Sequence, residues 1–414
     1  MKFSLGNVDT GSMPADKSSY FSRYHANLKG ELLLRKQQFR DEVTSDWREF
    51  QEVPGTGIKE IQQFLKDAGF LPKTTLNGIY GYSTQAGVRL FQEFVRTVKG
   101  DPSIGVPDGV VGPNTLSHIQ KWKQEKAGVC DWGKGSVQNP SNEFRQWIQV
   151  LEKAKSHFQA NPGPIVSHIE NYSKTSDTRK TSNWDTSSNV IHLIGIRRTQ
   201  DTLANTANRE SDDLFVLLIN GMVFKFWGST DPNPGIYSDK EKGKRNTLPF
   251  LVEGQHNYQF GWHKLGDEDK VYRALRPASN GVLVFRDKDG NRALTDLDIV
   301  KGLDSSPNPT INIHWSGIGR TNFSAGCQVI AGQSYINDKG DLVNCTGFAA
   351  KSYDELGNKK TRAAYNVLTD LLLSYGPPDV RTIVYTLGRD ETLRFSDVWK
   401  ENHVQEIIGR MKQG

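Results

Sequence analysis

His314 and Cys327 stand thirteen residues apart in Asn312-Ile313-His314-Trp315-Ser316-Gly317-Ile318-Gly319-Arg320-Thr321-Asn322-Phe323-Ser324-Ala325-Gly326-Cys327-Gln328-Val329-Ile330. These are the residue types that thiol chemistry needs. A free thiol is only about a few per cent thiolate at neutral pH, so a cysteine nucleophile depends on a neighbouring imidazole or on oriented backbone N–H groups. The β-branched run 310–315 reads as a strand with His314 at its end, and Val329 and Ile330 resume a strand pattern. Between them, glycines at 317, 319 and 326 let the chain turn sharply, and Gly326 allows backbone to approach a substrate carbonyl. Strand, loop and strand can bring the two side chains together. The competing reading is a structural cysteine in a Gly-rich hairpin, with His314 merely exposed.

The order histidine, Gly-containing loop, Ser-x-Gly-Cys resembles the active-site signature of the L,D-transpeptidase (YkuD-like) catalytic domain. That resemblance implies a cysteine that attacks the carbonyl of the third residue of a peptidoglycan stem peptide and expels D-alanine. By matching position, Cys327 is the nucleophile and His314 the general base. The N–H groups of Gly326 and Cys327 are the implied oxyanion donors, and Ser324 matches the serine that opens the motif. The chain departs from the family pattern at Ala325, where a second histidine is common, and at Gln328-Val329, where an apolar residue and an arginine usually follow. Arg320 could bind a terminal carboxylate instead, or be a solvated loop charge.

Residues 77–84, Asn-Gly-Ile-Tyr-Gly-Tyr-Ser-Thr, and 108–115, Asp-Gly-Val-Val-Gly-Pro-Asn-Thr, both fit (Asp/Asn)-Gly-x-x-Gly-x-x-Thr and mark an internal repeat offset by thirty-one residues. Each reads as a Gly-pinned turn into a helix capped by Ser83 or Asn114. Ile58, Ile61, Phe64, Leu65 and Ala68 precede the first turn at helical spacing, and Ala86, Val88, Leu90, Phe91 and Phe94 follow it, continuing to Val98. The segment from about 54 to 124 resembles a peptidoglycan-binding module of the three-helix type. A protein-docking bundle would show the same apolar stripes.

The 414 residues are 36% hydrophobic and 24% charged, ordinary for two or three soluble domains. The net charge of +5 suits an anionic wall surface and is too small and dispersed to argue for nucleic acid. Three cysteines, Cys130, Cys327 and Cys345, cannot all pair; a Cys130–Cys345 bridge and three free thiols both remain open. No apolar run is long enough to span a bilayer, and the N-terminus lacks the pattern of a secretory leader. The expectation is therefore synthesis in the cytoplasm and action at the cell wall, delivered by a secretion apparatus or by phage lysis.

The organisation read from the sequence is a polar N-terminal segment over 1–50, a peptidoglycan-binding helical module over 51–126, a linker with a connector helix over 127–188, and a cysteine catalytic domain over 189–414. In the first segment, 11–20 reads as irregular and 28–42 as a charged helix. The connector helix, 142–158, puts Phe144, Trp147, Ile148, Leu151 and Phe158 on one face, and the Ser/Thr/Asn-rich stretch 173–189 reads as a loop. Strands are expected at 190–196, 214–219 and 222–227, the last two joined by the hairpin signal Asn220-Gly221. Strand 282–286 before Asp287-Lys288-Asp289-Gly290 implies another hairpin. After the cysteine come a helix over 361–374, a strand over 380–387 and a helical end. The fold class is thus multidomain α + β: a small all-α bundle followed by a mainly antiparallel β-sandwich with peripheral helices.

His256 and His263 lie seven apart, a spacing that fits neither a helical His-x-x-x-His pair nor a zinc hairpin, so no metal or cofactor is expected. Tyr258, Trp262 and His263 could line a cleft for sugar or stem peptide, and fit the core and rim of a sheet equally well; Trp315 is a further substrate-binding candidate. The reading is an enzyme acting on stem peptides through an acyl group on Cys327, as L,D-carboxypeptidase, L,D-transpeptidase or D-amino-acid exchanger. A wall-binding or phage structural protein with a degenerate cysteine domain is the alternative from another class. A papain-like wall-lytic enzyme would have its cysteine before its histidine, the reverse of the order here.

Overall fold

The computed structural model of the protein describes residues 2–13, 50–197, 211–233, 248–263 and 272–414, except Arg292, Thr321, Phe323, Asn358, Pro378 and Asp379. The charged helix expected over 28–42 and most of the irregular stretch 11–20 lie outside the described residues. The chain forms two compact units, one from residues 1–136, 261–273 and 347–380, the other from 137–260, 274–346 and 381–414. These units do not follow the segment limits read from the sequence. Residues 347–380 join the helical module rather than the unit that holds Cys327.

In the first unit, β1 (Asn7–Asp9) pairs in parallel with β2 (Gln51–Val53), ahead of helices α1 (Gly57–Asp67), α2 (Tyr82–Thr97) and α3 (Pro113–Gln124). The apolar stripes expected from the sequence are buried, from Ile58 through Phe94. Phe64, Phe70, Phe91, Phe94, Trp122 and Trp132 meet edge to face, with ring centroids 5.0 to 6.0 Å apart, a geometry that aromatic quadrupoles favour.

The internal repeat has a physical cause that the sequence pattern did not reveal. Gln62 Nε2 donates to Asn77 Oδ1, Ile79 O and Thr84 Oγ1, while its Oε1 accepts from Gly78 N. Gln92 repeats this with Asp108 Oδ1, Val110 O, Thr115 Oγ1 and Gly109 N. One buried glutamine therefore bonds the Asn or Asp, the Gly N–H and the Thr of each turn, and Gly78 and Gly109 supply the φ of +71° and +73° that the turn requires. The helices start at Tyr82 and Pro113 with Gly81 and Gly112 as N-caps, so the expected Ser83 and Asn114 caps are corrected to first-turn positions. Asn114 instead donates to Ser103 O. The module is also not all helical, because β1 and the bridges Phe3 to Val111 and Val8 to Ile79 complete it.

The second unit opens with α4 (Asn142–Ala160) and α5 (Pro164–Glu170). The strands are β3 (Thr178–Arg179), β4 (His192–Arg197), β5 (Asp213–Ile219), β6 (Met222–Ser229), β7 (Pro249–Leu251), β8 (Gly254–His263), β9 (Tyr272–Pro277) and β10 (Val284–Arg286). Then follow α6 (Asp296–Lys301), β11 (Ile313–Trp315), β12 (Gln328–Ile330), β13 (Ser334–Ile336) and β14 (Leu342–Asn344). Helix α7 (Ala364–Tyr375) belongs to the first unit; β15 (Ile383–Arg389) and α8 (His403–Gln413) end the second.

The sheet runs β12-β11-β9-β8-β15-β4-β5-β6, and β12 pairs again with β6. Eight strands thereby form a closed, barrel-like circuit, which corrects the expected sandwich of two facing sheets. Closure depends on Gly228 of β6, because a Cβ there would collide with the Val329 carbonyl of β12. Among the described residues the pairings of this sheet are mainly antiparallel, as expected, with β4–β15 and β11–β12 parallel. The Asn220-Gly221 hairpin joins β5 and β6 with both residues at positive φ. The second expected hairpin does not form: β10 pairs with β7, and the 287–290 turn leads into α6 through a capping box of Thr295 and Asp298.

The connector helix is an integral layer of this unit. Phe144, Trp147, Leu151 and Phe158 of α4 pack with Val404, Ile407 and Ile408 of α8 and with β4 to β6 in one core. Ile148 is only partly buried beside it. Residues 173–189 are likewise held, since β3 pairs with β8 and the buried Asp177 accepts the N–H groups of Ser279, Asn280 and Gly281.

Two buried histidines make this unit acid-sensitive. Burial pushes His256 down to about 3 from its usual 6.5 and lowers His192 as well. His256 stays neutral between Val252 O and Thr178 Oγ1. The unfolded chain therefore binds more protons below pH 6.5, so stability is complete above that pH and falls as pH drops from 6.5 towards 3. His256 alone should remove about 1.4 kcal/mol per pH unit over that window. Urea unfolding at pH 7, 5.5 and 4.5 measures this, and a flat profile would contradict it.

Candidate functional site

The parallel pairing of β11 with β12 aligns Ile313 with Gln328 and His314 with Val329. Cys327, one residue before β12, thus comes to lie beside Asn312, whose N–H points at Sγ from 3.4 Å. A ring nitrogen of His314 lies within 4.8 Å of Sγ. His314 is buried and Cys327 is partly exposed, which suits a base held in the wall and a nucleophile open to substrate.

The imidazole is oriented by backbone. His314 Nδ1 lies 2.8 Å from Trp315 O, and a carbonyl can only accept, so the neutral ring carries its proton on Nδ1 and its basic lone pair on Nε2. The Cys327 thiol itself donates to Thr310 O at 3.4 Å.

The cysteine turn is held from two sides. Ser324 Oγ donates to Cys327 O at 2.7 Å and accepts Gly326 N–H at 3.1 Å, and Ser324 N–H donates to Asn322 Oδ1. Asn322 Nδ2 in turn donates to Ser229 Oγ and Asp231 O, while Asn233 Nδ2 donates to Asn322 O and Asn233 N–H to Ser324 O. The loop after β6 is therefore the buttress of the nucleophile. Gly326 sits at φ +148°, and a Cβ there would lie 2.5 Å from Pro249 Cγ, so glycine is required both by conformation and by space.

These contacts revise several sequence assignments. Gly326 N–H, one of the two expected oxyanion donors, is engaged by Ser324 Oγ. Ser324 is a buried turn clamp. Trp315 and Tyr258 are fully buried, and the Tyr258 hydroxyl donates to Ile311 O at 3.0 Å, so both belong to the core rather than a cleft wall. Burial, followed by the charges of Tyr385 and Cys327, raises the Tyr258 hydroxyl above its usual value. Arg320 is exposed on the loop. His263 ends β8 in the first unit with its ring edge-on to Tyr272 at 5.4 Å. Gln328, the departure after the cysteine, is buried and accepts from the Tyr385 hydroxyl. Cys130 and Cys345 are buried free thiols, and burial raises Cys130 to about 11, so neither forms the bridge left open by the sequence.

Sequence reasoning missed Asn322, Asn233 and Arg276. Asn322 lies inside the motif stretch without a recognisable pattern, Asn233 lies 89 residues before it, and Arg276 is brought in only by strand pairing. A separate oxygen set, Asp287, Asp289 and Asp298, converges within 4.8 Å, a donor type that suits a hard cation. Its oxygens already accept N–H groups from Gly290, Asn291, Lys288 and Thr295.

Residues 54–98 match a family model described as a peptidoglycan binding domain. The match supports a peptidoglycan-binding module in the first unit, with peptidoglycan as partner and association with the cell wall. No curated protein and no solved structure matches the chain. Among the described residues, no helix is long and apolar enough to cross a membrane.

Proposed function

We propose that the protein is a wall-bound cysteine enzyme acting on peptidoglycan stem peptides, of the L,D-carboxypeptidase or L,D-transpeptidase kind. The observation that carries this reading is the His314 imidazole, oriented by Trp315 O, with a ring nitrogen beside the partly exposed Cys327 thiol. The resemblance of the Ser324-to-Cys327 turn to the L,D-transpeptidase motif and the wall-binding module supply the substrate class.

In this mechanism His314 Nε2 takes the thiol proton and Sγ attacks the carbonyl of the third stem residue. Cys327 N–H faces the developing oxyanion. As the C–N bond breaks, His314 returns the proton to the amine of the departing D-alanine, leaving a thioester on Cys327. Water then yields the shortened peptide, or an amine yields a cross-link or an exchanged residue. Both outcomes regenerate the thiol.

Mass spectrometry of purified tetrapeptide and pentapeptide muropeptides after incubation tests the reading. Loss of the terminal D-alanine from the tetrapeptide, or its exchange or cross-linking, is the expected result and names the acceptor. Unchanged muropeptides would favour a wall-binding protein with an inactive cysteine domain.

A further inference from the structure

The Cys327 site has a cation that its motif does not contain. β9 pairs antiparallel with β11 through Leu275 and Ile313, and β11 pairs in parallel with β12 through Ile313 and Gln328. Extending each register by one residue aligns Arg276, Asn312 and Cys327 across three neighbouring strands. Residues in register across a sheet share a face, and strands lie about 4.8 Å apart, so the Arg276 and Cys327 backbones are about 10 Å apart with a long side chain available to cross the gap.

The contacts agree with this placement. Arg276 Nη2 donates to Pro309 O at 3.5 Å, next to the Thr310 carbonyl that accepts the Cys327 thiol and three residues from the Asn312 N–H that points at Sγ. The side chain is half-buried, neither sunk in the core nor free in bulk water. Burial lowers the guanidinium from its usual value, and the negative charge of a Cys327 thiolate opposes that effect.

We propose that Arg276 is the carboxylate-recognising residue of the Cys327 site, gripping the terminal carboxylate of the peptide segment that the thiol displaces. The chemistry fits a stem peptide, and to that extent the inference rests on the function proposed above. The departing residue carries its carboxylate on the carbon next to the scissile nitrogen, so a cation beside the nucleophile would hold it while the carbonyl meets Sγ. A guanidinium presents paired N–H donors that match a carboxylate. It would make the site select free C-terminal peptides over amidated ones. Arg276 would act as a substrate-binding and specificity residue.

A pair of small alkylating probes tests this without any muropeptide. Iodoacetate and iodoacetamide both react with the thiolate, so at one fixed pH their rate ratio at Cys327, read by peptide mass spectrometry, reports attraction of a carboxylate and cancels the thiolate fraction. Relative to the wild type, the iodoacetate-to-iodoacetamide ratio is expected to fall roughly tenfold in Arg276→Gln and to stay within about threefold in Arg276→Lys. In the wild-type protein the same ratio should drop as salt is raised from low to about 0.5 M, since a partly exposed charge pair is screened. A ratio unchanged in Arg276→Gln overturns the proposal. If that variant does not fold, a wild-type ratio insensitive to salt overturns it instead. With tetrapeptide muropeptides, the wild type should prefer the free acid to the C-terminal amide. Absence of any turnover alongside a charge-dependent probe ratio would refute the stem-peptide reading and leave the carboxylate site standing.

Discussion

Cys327→Ala is expected to reduce muropeptide turnover on the order of 10⁴-fold or more while leaving binding to intact peptidoglycan unchanged. Removing the nucleophile of a covalent mechanism deletes the bond-forming atom, and catalytic groups that act as a unit cannot compensate for it. The substitution should be structurally mild. Cys327 is partly exposed, and its Sγ contacts with Thr310 O and Asn312 N are long, at 3.4 Å, so stability should stay within about 0.5 kcal/mol. The turn keeps its Ser324 and Asn322 bonds, none of which uses the thiol. Binding should persist because the peptidoglycan-binding match lies in the first unit, at residues 54–98. Pelleting with sacculi and product analysis on the same preparation separate the two properties. Equal turnover by wild type and variant would refute a Cys327 acyl group.

Asp370→Ala should destabilise the first unit by about 3–5 kcal/mol, the cost of leaving buried charge without its partner. Asp370 sits on α7, 1% exposed, between two buried arginines: Arg89 Nε at 2.8 Å and Arg273 Nη1 at 2.9 Å. Truncation would remove the carboxylate that both guanidinium groups share, in a helix interface where all twelve residues of α7 are buried. At about 2–4 °C per kcal/mol for a unit of this size, the melting temperature should fall by roughly 10 °C. Thermal unfolding followed by tryptophan fluorescence is the measurement. A shift below about 2 °C would mean that the arginines find other partners or water. Replacing all three residues with apolar side chains of matching volume should be far less damaging than the single truncation, since a buried ion network often contributes little net stability.

How far these sites could be read beforehand depended on whether the signal was local. The α1 and α2 stripes, the Asn220-Gly221 hairpin and the strand that carries His314, shorter than expected at Ile313–Trp315, follow from side-chain periodicity and turn chemistry within a few residues, and each was legible. His314 and Cys327 were legible because one loop separates them. The clamps on that loop were not: Asn233 and Asp231 lie about ninety residues before Asn322, as the 89- and 91-residue separations of their hydrogen bonds record. Gln62 and Gln92 were present in the sequence thirty residues apart, one short of the offset of the turns, and a glutamine on an amphipathic helix reads as a polar face until the turn it satisfies is folded onto it.

The amino-acid order by itself determined the elements, the glycine turns and a histidine placed to meet a cysteine, because each depends on backbone preferences and neighbours in the chain. Only the tertiary structure decided that the sheet closes, through β12 meeting β6 across Gly228. It also turned Tyr258 and Trp315 inward, gave Gly326 N–H to Ser324, and set Arg276 in register with Cys327. Those outcomes depend on pairings between distant segments, and hydrophobic alternation along one strand carries no information about which strand will lie beside it.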